Sequence, residues 1–311
     1  MSRRTIGTAG VHLTVGADKM LDLPYDDLTD LLRLADWLEL YALLSPDRNS
    51  SRGDLDSALR TASHSELDDD VEIEQKILEV FGEFEQRAEA AKEAYPFDID
   101  YRGILTLRAD GWKASPVYVF CLCLSYYPLQ ETRVGPKLFE QVSCLAARSY
   151  LRGEAVGFGS PRTSLPPSFA SAVIELCTLI GEGGGYQEQP SLDCKDDTLD
   201  LVAWKDFVDR RPSKVLMFGQ CGAGRGWPDK LGQLQPSAFW RQWMRVGSVS
   251  PEPIRSFFTP YRVSQRRWEH YARQAGVLFD RCRIAYWAYR EETDHSSVIE
   301  WTEDFLGRVG A

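Results

Sequence analysis

Two residues with metal-binding oxygens interrupt the apolar segments between positions 195 and 224. Asp200 stands in the run LDLVAW, and Gln220 stands near the end of the run VLMFGQC. An acidic residue is unfavourable inside an apolar strand unless a partner compensates its charge. Carboxylate and amide oxygens are ligands that Mg²⁺ accepts, together with waters and phosphate oxygens. The pair therefore predicts a site for Mg²⁺ or Mn²⁺. The alternative interpretation is a solvated aspartate and a glutamine that simply ends a strand.

The two apolar runs are short and a charged turn separates them, so we interpret them as neighbouring strands. Side chains alternate between the faces of a strand, which puts Asp200 on the same face as Val202 and Trp204. On the second run, Gln220 shares a face with Phe218. If the strands pair, Asp200 and Gln220 project together at one end of the sheet.

A third oxygen ligand is predicted on a helix that precedes these strands. The segment KLFEQVSCLAARSYL, residues 137–151, has apolar residues at helical spacing. Within it, Glu140 shares a stripe with Cys144, Ala147 and Leu151, which are small or apolar. A buried carboxylate is costly unless it is paired or binds a metal. Glu140 is therefore a candidate ligand, and an exposed position on the helix surface is the alternative.

These features resemble the PD-(D/E)xK nuclease superfamily, and most closely its Mrr-type and Holliday-junction-resolvase-like branches, whose second motif reads Gln-x-Lys. The resemblance rests on a helix with Phe139 and Glu140, a glycine-rich approach, Asp200 on one strand and Gln220 on the next. It covers roughly residues 135–290, and it implies a restriction-endonuclease-like mixed sheet flanked by helices. It further implies that Glu140, Asp200 and Gln220 bind the metal, and that the chain is an endonuclease hydrolysing phosphodiester bonds of DNA. A role in restriction or phage defence follows by analogy alone.

The sequence departs from the family pattern at Gly222, where the family has a lysine. In the family, that lysine helps to position and activate the attacking water and balances charge at the scissile phosphate. Its absence implies either a relocated cation or an inactive site. The alternative function is therefore a catalytically inactive domain of the same fold, which binds nucleic acid or a protein.

Three cations are candidates to replace the missing lysine. Lys205 is close to Asp200 in sequence, but its odd spacing points it to the other face unless a bulge intervenes. Arg225 could bind phosphate, although its high pKa makes it a poor proton carrier. We favour Lys230, because we expect it on the helix after the second strand with a side chain long enough to reach back.

Charge is distributed unevenly along the chain. The whole sequence has a net charge of −10, yet residues 1–204 carry −15 and residues 205–290 carry +10. A basic block in an acidic protein is typical of a surface that binds nucleic acid, and a solvated arginine-rich surface is the alternative. We expect the following arginines to contact the DNA backbone, with RNA left open as the substrate: Arg225, Arg241, Arg262, Arg266 and Arg267.

Two domains are expected from the change in sequence character near residue 130. Residues 1–130 predict an α-helical region for packing or for binding a partner protein, with helices at Tyr25–Leu44 and from Asp68 to about Ala94. Residues 131–311 predict the α/β domain, in which Val277–Tyr286 has the composition of a strand. A homodimer is one possible assembly of the chain.

Seven scattered cysteines without CxxC spacing favour reduced thiols in the cytoplasm over a disulfide framework or a zinc site. The N-terminus lacks the continuous apolar segment of a secretory signal. The most apolar run, residues 116–129, is too short to span a bilayer, so we expect no membrane association.

Overall fold

The computed structural model describes residues 12–14, 20–22, 30–62, 70–126, 134–188, 195–247 and 249–309. The chain divides into two compact units, the first formed by Met1–Tyr126 with Ile299–Ala311 and the second by Tyr127–Val298. The expected boundary at residue 130 lies outside the described residues. Ile299–Ala311, assigned from the sequence to the C-terminal domain, belongs to the first unit, where Trp301 meets Phe120 edge-on at 5.0 Å.

The first unit combines helices with short antiparallel strands. Its elements are β1 (His12–Thr14), β2 (Met20–Asp22), α1 (Leu31–Leu44), β3 (Asn49–Ser51), α2 (Arg52–Ala62), α3 (Asp70–Ala91), β4 (Phe97–Ile99), β5 (Ile104–Leu107) and α4 (Pro116–Tyr126). β3, β5 and β4 form an antiparallel sheet in that order, and β1 pairs with β2. The region that the sequence predicts as α-helical thus also contains strands, and β4 and β5 lie in residues 97–107, whose imperfect alternation left a strand or a short helix open.

The helices α1 and α3 confirm the two apolar stripes of the N-terminal region. The predicted starts at Tyr25 and Asp68 lie outside the described residues. α1 begins after Asp30, whose carboxylate caps the helix by accepting from the backbone N–H of Leu32 at 3.0 Å. None of the described helices is both long enough and apolar enough to span a membrane.

A buried ionic cluster lies between α1 and α3. The fully buried guanidinium of Arg87 bonds Glu39 at 2.7 Å, Asp36 at 2.8 Å and Glu83 at 3.0 Å. The hydroxyl of Tyr95 donates to the same Glu39 carboxylate at 2.9 Å. Arg87 on α3 is thus paired with two carboxylates of α1, Asp36 and Glu39, and with Glu83 on its own helix.

The second unit is built on a five-stranded mixed sheet, which confirms the α/β expectation. Its elements are α5 (Val134–Leu151), β6 (Glu154–Gly157), α6 (Phe169–Ile180), β7 (Leu201–Lys205), β8 (Val215–Cys221), α7 (Pro236–Trp243), β9 (Ile254–Phe258), α8 (Gln265–Ala275), β10 (Val277–Phe279) and α9 (Arg281–Tyr289), after which α10 (Ser296–Val309) follows. The strand order is β10–β9–β8–β7–β6. β6, β7 and β8 are antiparallel neighbours, whereas β9 is parallel to β8 and β10 is parallel to β9.

Helices cover both faces of this sheet. Val202 and Phe218 belong to a buried cluster with residues of α6 and α7, such as Leu176 and Trp240. α5 packs against β6, β7 and α9. The strands β7 and β8 are the two neighbours expected from the sequence, and Leu201 lies opposite Gly219 in their register. The helix that carries Glu140 thus packs against the strand that follows Asp200.

Candidate functional site

The carboxylates of Glu140 and Asp200 converge above Gly159, just after β6. A Cβ atom placed on Gly159 would lie 2.8 Å from Oε2 of Glu140 and 3.0 Å from Oδ1 of Asp200. A side chain at this position would therefore occupy the space of both carboxylates. The structure brings together the helix carboxylate and the strand carboxylate that the sequence singled out, although they are 60 residues apart in numbering.

Asp200 is fixed by the ends of three strands. Its carbonyl oxygen accepts from the amides of Phe158 at 2.7 Å and Gly159 at 3.0 Å, and its own amide donates to Gly219 at 2.9 Å. Its Oδ2 atom accepts from the amide of Cys221 at 2.7 Å. These bonds orient the carboxylate so that Oδ1 faces Gly159 and Glu140.

Burial opposes the negative charge of both carboxylates. It raises the pKa of Asp200 to about 7; the bond from Cys221 lowers this pKa, and the charges of Glu140 and Asp196 raise it. Burial also raises the pKa of Glu140, against the lowering effect of Lys137. Two neighbouring carboxylates with raised pKa values favour either a retained proton or a bound cation.

Lys137 contributes a positive charge to this site. Its Nζ atom donates to Oε2 of Glu140 at 2.6 Å and to the carbonyl oxygen of Gly159 at 3.0 Å. The side chains of Lys137 and Glu140 are 20 % and 17 % exposed, so both reach solvent only in part. The sequence prediction missed Lys137, although its spacing of three residues from Glu140 on a helix is the signal that could have found it.

The half-buried thiols of Cys144 and Cys221 lie near the two carboxylates. Burial raises the pKa of Cys144 to about 12, and the charge of Glu140 adds to this effect. Burial raises the pKa of Cys221 well above its ordinary value, with Asp200 and Glu140 adding to it. Both thiols are therefore neutral and unreactive at physiological pH. All six cysteines within the described ranges are free, as expected for reduced thiols.

Gln220 lies at the end of β8 with its side chain only 5 % exposed. Its Nε2 atom donates to Oε1 of Gln233 at 3.2 Å, while its own Oε1 has no hydrogen-bond donor among the described residues. The β7–β8 register ends one residue before Gln220, and Asp200 bonds the carbonyl oxygen of Gly219 and the amide of Cys221, so no contact recorded among the described residues brings Gln220 to Asp200. A buried oxygen without a donor is unfavourable and fits an atom that accepts a bond from a bound water or cation.

Gly222 lies in a crowded position at the end of β8. A Cβ atom on Gly222 would lie 2.6 Å from Cζ of Phe257 and 2.9 Å from Cβ of Trp227. These two aromatic residues fill the space into which a longer side chain would project. The described structure therefore has no room for a lysine at this position.

The three cations proposed to replace that lysine do not contact the carboxylates. Lys205 lies at the far end of β7, roughly 16 Å along the strand from Asp200, and bonds the carbonyl oxygen of Arg152. Lys230 ends a short 3-10 helix, Trp227–Lys230, rather than lying on the expected α-helix, and its side chain is exposed. Arg225 is also exposed, in the loop before that turn. No contact recorded among the described residues supports the preference for Lys230, whereas a lysine of α5 bonds Glu140.

The predicted nucleic-acid contacts divide into exposed and buried arginines. Arg225, Arg241, Arg266 and Arg267 are exposed. Arg262 is different, because its side chain is 10 % exposed and its Nη1 atom bonds Oδ2 of the buried Asp280 at 2.7 Å. Arg262 therefore has a structural contact in place of the surface position expected from its charge.

An aromatic contact joins two of the exposed basic segments. Trp227 meets Tyr271 of α8 at 5.0 Å, edge to face. This contact links the loop that carries Arg225 to the helix that carries Arg266 and Arg267. We call these three arginines together with Lys230 the basic surface.

No family model matches the chain, and neither do the curated proteins or the solved structures with which it was compared. Within the described ranges, no group of three or more His, Cys, Asp and Glu side chains is placed to hold a metal ion. The candidate site has two carboxylates, those of Glu140 and Asp200. A function for the chain therefore has to be inferred from Glu140, Asp200 and the geometry at the end of the sheet.

Proposed function

We propose that the chain is a metal-dependent phosphodiesterase. Within that class, we propose an endonuclease of the PD-(D/E)xK type that hydrolyses DNA, with its site in the second unit. The observation that supports the proposal is the convergence of the partly buried Glu140 and Asp200 carboxylates above Gly159. Burial makes the ionised form of both carboxylates unfavourable. A divalent cation bound between them would compensate their negative charge.

The order of elements supports the resemblance on which the nuclease proposal rests. A helix with Glu140 precedes three antiparallel strands, Asp200 comes directly before the second of them, and Gln220 lies near the end of the third. A further helix then leads to β9, which is parallel to β8. This arrangement is a mixed sheet with helices on both faces, as the resemblance implies.

The donor atoms fit a hard cation such as Mg²⁺ or Mn²⁺. Glu140 and Asp200 would supply carboxylate oxygens, and Gln220 would supply the amide oxygen that lacks a donor among the described residues. Such an ion supplies Lewis-acid stabilisation of a phosphoryl oxygen and activates water at neutral pH. The amide of Cys221 holds the Asp200 carboxylate in position. The basic surface would bind the DNA backbone without reading its sequence.

Cleavage assays with matched acidic variants test this function. We expect the wild-type chain to cut duplex DNA in Mg²⁺ or Mn²⁺, and Asp200→Ala and Glu140→Ala to lose at least about 10²-fold in rate. Glu154→Ala is the control, because Glu154 is exposed at the other end of β6. Wild-type rates in Asp200→Ala would exclude this site.

A second candidate function is a nuclease-like domain that binds nucleic acid without cutting it. It is favoured by the aromatic residues that fill the lysine position at Gly222 and by the bond of Gln220 to Gln233. It predicts salt-dependent DNA binding without cleavage in either metal. Restriction or phage defence, a protein partner of the first unit, a homodimer and a cytoplasmic location stay predictions.

A further inference from the structure

We propose that Lys137 is a catalytic residue of this site, an inference that rests on the proposed nuclease function. With a metal ion on Glu140 and Asp200, the Lys137 ammonium contacts the scissile phosphate of the substrate. Lys137 thereby supplies the positive charge that the aromatic packing around Gly222 excludes from β8.

The hydrogen bonds of the Lys137 ammonium support this role. An ammonium group has three donors, and the structure records two acceptors, Oε2 of Glu140 at 2.6 Å and the carbonyl oxygen of Gly159 at 3.0 Å. Among the described residues no acceptor is recorded for the third donor, which leaves it for a phosphate oxygen. The side chain is 20 % exposed, so solvent reaches it in part.

The balance of charge at the site also supports this role. Without a metal, Lys137 is the positive partner of Glu140, and the Asp200 carboxylate approaches the same glycine, Gly159. A divalent cation on both carboxylates would take over the compensation of Glu140. The ammonium would then lie beside the cation without a full counter-charge, and an anionic phosphate is the group that restores the balance.

The partners of other lysines also favour Lys137 for this role. Among the described residues, Lys137 is the lysine that forms an ion pair with a carboxylate of the site. Lys214 is paired with Asp206 in the turn after β7, and Lys113 is paired with Glu303. Lys205 contacts Arg152 at the far end of β7.

Variants of Lys137 separate a catalytic role from a structural one. The experiment measures Mn²⁺ binding by calorimetry and single-turnover DNA cleavage at saturating Mn²⁺, using the full chain with Lys137→Met, Lys137→Arg and Asp200→Ala. Lys76→Met on α3 is the control, because it makes the same substitution on a helix of the first unit. We expect Lys137→Met to bind Mn²⁺ at least as tightly as the wild type, since the competing ammonium is gone. Its cleavage rate should fall about 10²-fold or more, and Lys137→Arg should recover part of that loss.

Each other outcome shows whether the role of Lys137, the nuclease function or both are wrong. If Lys137→Met cleaves at the wild-type rate while Asp200→Ala is inactive, the role of Lys137 is overturned and the nuclease function stands. If Lys137→Met loses Mn²⁺ affinity and thermal stability along with cleavage, and Lys137→Arg restores all three, Lys137 only holds Glu140 in place and the inference is overturned. If Asp200→Ala binds Mn²⁺ and cleaves like the wild type, or if the wild type does not cleave, both proposals fail.

Discussion

Asp200 lies in surroundings that oppose its own charge and at the same time fix its orientation. Burial and the carboxylate of Glu140 raise its pKa, to about 7, while the amide of Cys221 holds Oδ2 in place. A residue placed only for stability would gain from a partner that neutralises it, as Glu140 gains from Lys137. Such perturbed groups concentrate at functional sites. The raised pKa also makes a prediction that does not depend on catalysis.

Asp200→Asn should change how stability depends on pH in the metal-free protein. The folded wild type retains the Asp200 proton up to about pH 7, whereas the unfolded chain releases it near pH 4. Between these values the unfolded state binds fewer protons, so stability falls as the pH rises, by at most about 1.4 kcal/mol per pH unit from this group. The asparagine side chain does not ionise, so the variant escapes this loss and gains on the wild type between about pH 4 and pH 7.

Urea denaturation of the metal-free protein, in EDTA at acidic and at slightly alkaline pH, measures this difference. In a separate measurement without EDTA, added Mn²⁺ should stabilise the wild type and leave Asp200→Asn nearly unchanged, because ligands stabilise only the state that binds them. Glu154→Gln controls for the loss of one carboxylate at an exposed position. Parallel stability curves for wild type and Asp200→Asn would show that Asp200 ionises normally.

Gly222→Ala should destabilise the protein by about 1–3 kcal/mol, because the added methyl group overlaps the Phe257 ring and the Trp227 side chain. Gly222→Lys should be worse, so a lysine introduced at this position would not act as a catalytic group. Gly224→Ala is the control, since a Cβ atom there meets nothing within 4 Å. Equal denaturation midpoints for the two alanine variants would contradict the crowding at Gly222.

At the level of elements, the sequence was most informative where an apolar run was long and clearly bounded. The runs around β7 and β8, and the amphipathic helix α5, formed as predicted. By contrast, Val277–Tyr286 was predicted as one strand but splits into β10 and α9. The break is made by Asp280, whose side chain caps α9 by accepting from the amide of Arg283. Apolar composition is similar in a buried strand and a buried helix, so it hides such a break.

The candidate site was only partly predictable for a related reason. Glu140 and Asp200 could be found because an acid among apolar residues is unusual wherever it occurs. The three-residue spacing of Lys137 from Glu140 is a weaker signal, since a lysine near the start of a helix is common. Its significance depends on the carbonyl of Gly159, which reaches it from a segment 22 residues later in the chain. That contact is set by the sheet and not by local sequence.

Arg262→Gln should lower stability although Arg262 lies in the basic block. Its partner Asp280 is fully buried and also caps α9, so removing the guanidinium leaves a buried carboxylate without a counter-charge. Loss of one partner of a buried pair typically costs about 3–5 kcal/mol. Arg266→Gln on the exposed face of α8 is the control and should change the unfolding free energy by less than about 0.5 kcal/mol. Similar denaturation curves for both variants would contradict the structural role.

For the whole molecule, net charge and local charge point in opposite directions. The chain carries −10 overall, which alone would disfavour DNA, while residues 205–290 carry +10. The four exposed cations of the basic surface lie in the two segments that the contact between Trp227 and Tyr271 joins. Screening in physiological salt has a length of about 8 Å, so a DNA backbone held against this surface responds to nearby arginines more than to distant acids. Binding by an acidic protein is then local and steeply dependent on salt.

A salt titration of DNA binding by the full chain tests this conclusion. Each phosphate neutralised on duplex DNA contributes about −0.9 to the slope of log Kobs against log salt concentration, so the four cations of the basic surface predict a slope on the order of −3 to −4. Arg266→Gln with Arg267→Gln should weaken binding and reduce the magnitude of the slope by about 2. The matched control is Arg210→Gln with Arg211→Gln, two exposed arginines in the turn after β7, at the opposite end of that strand from Asp200. Both pairs change the net charge equally, so an equal loss of slope would mean that DNA responds to the charge of the whole molecule and not to the basic surface.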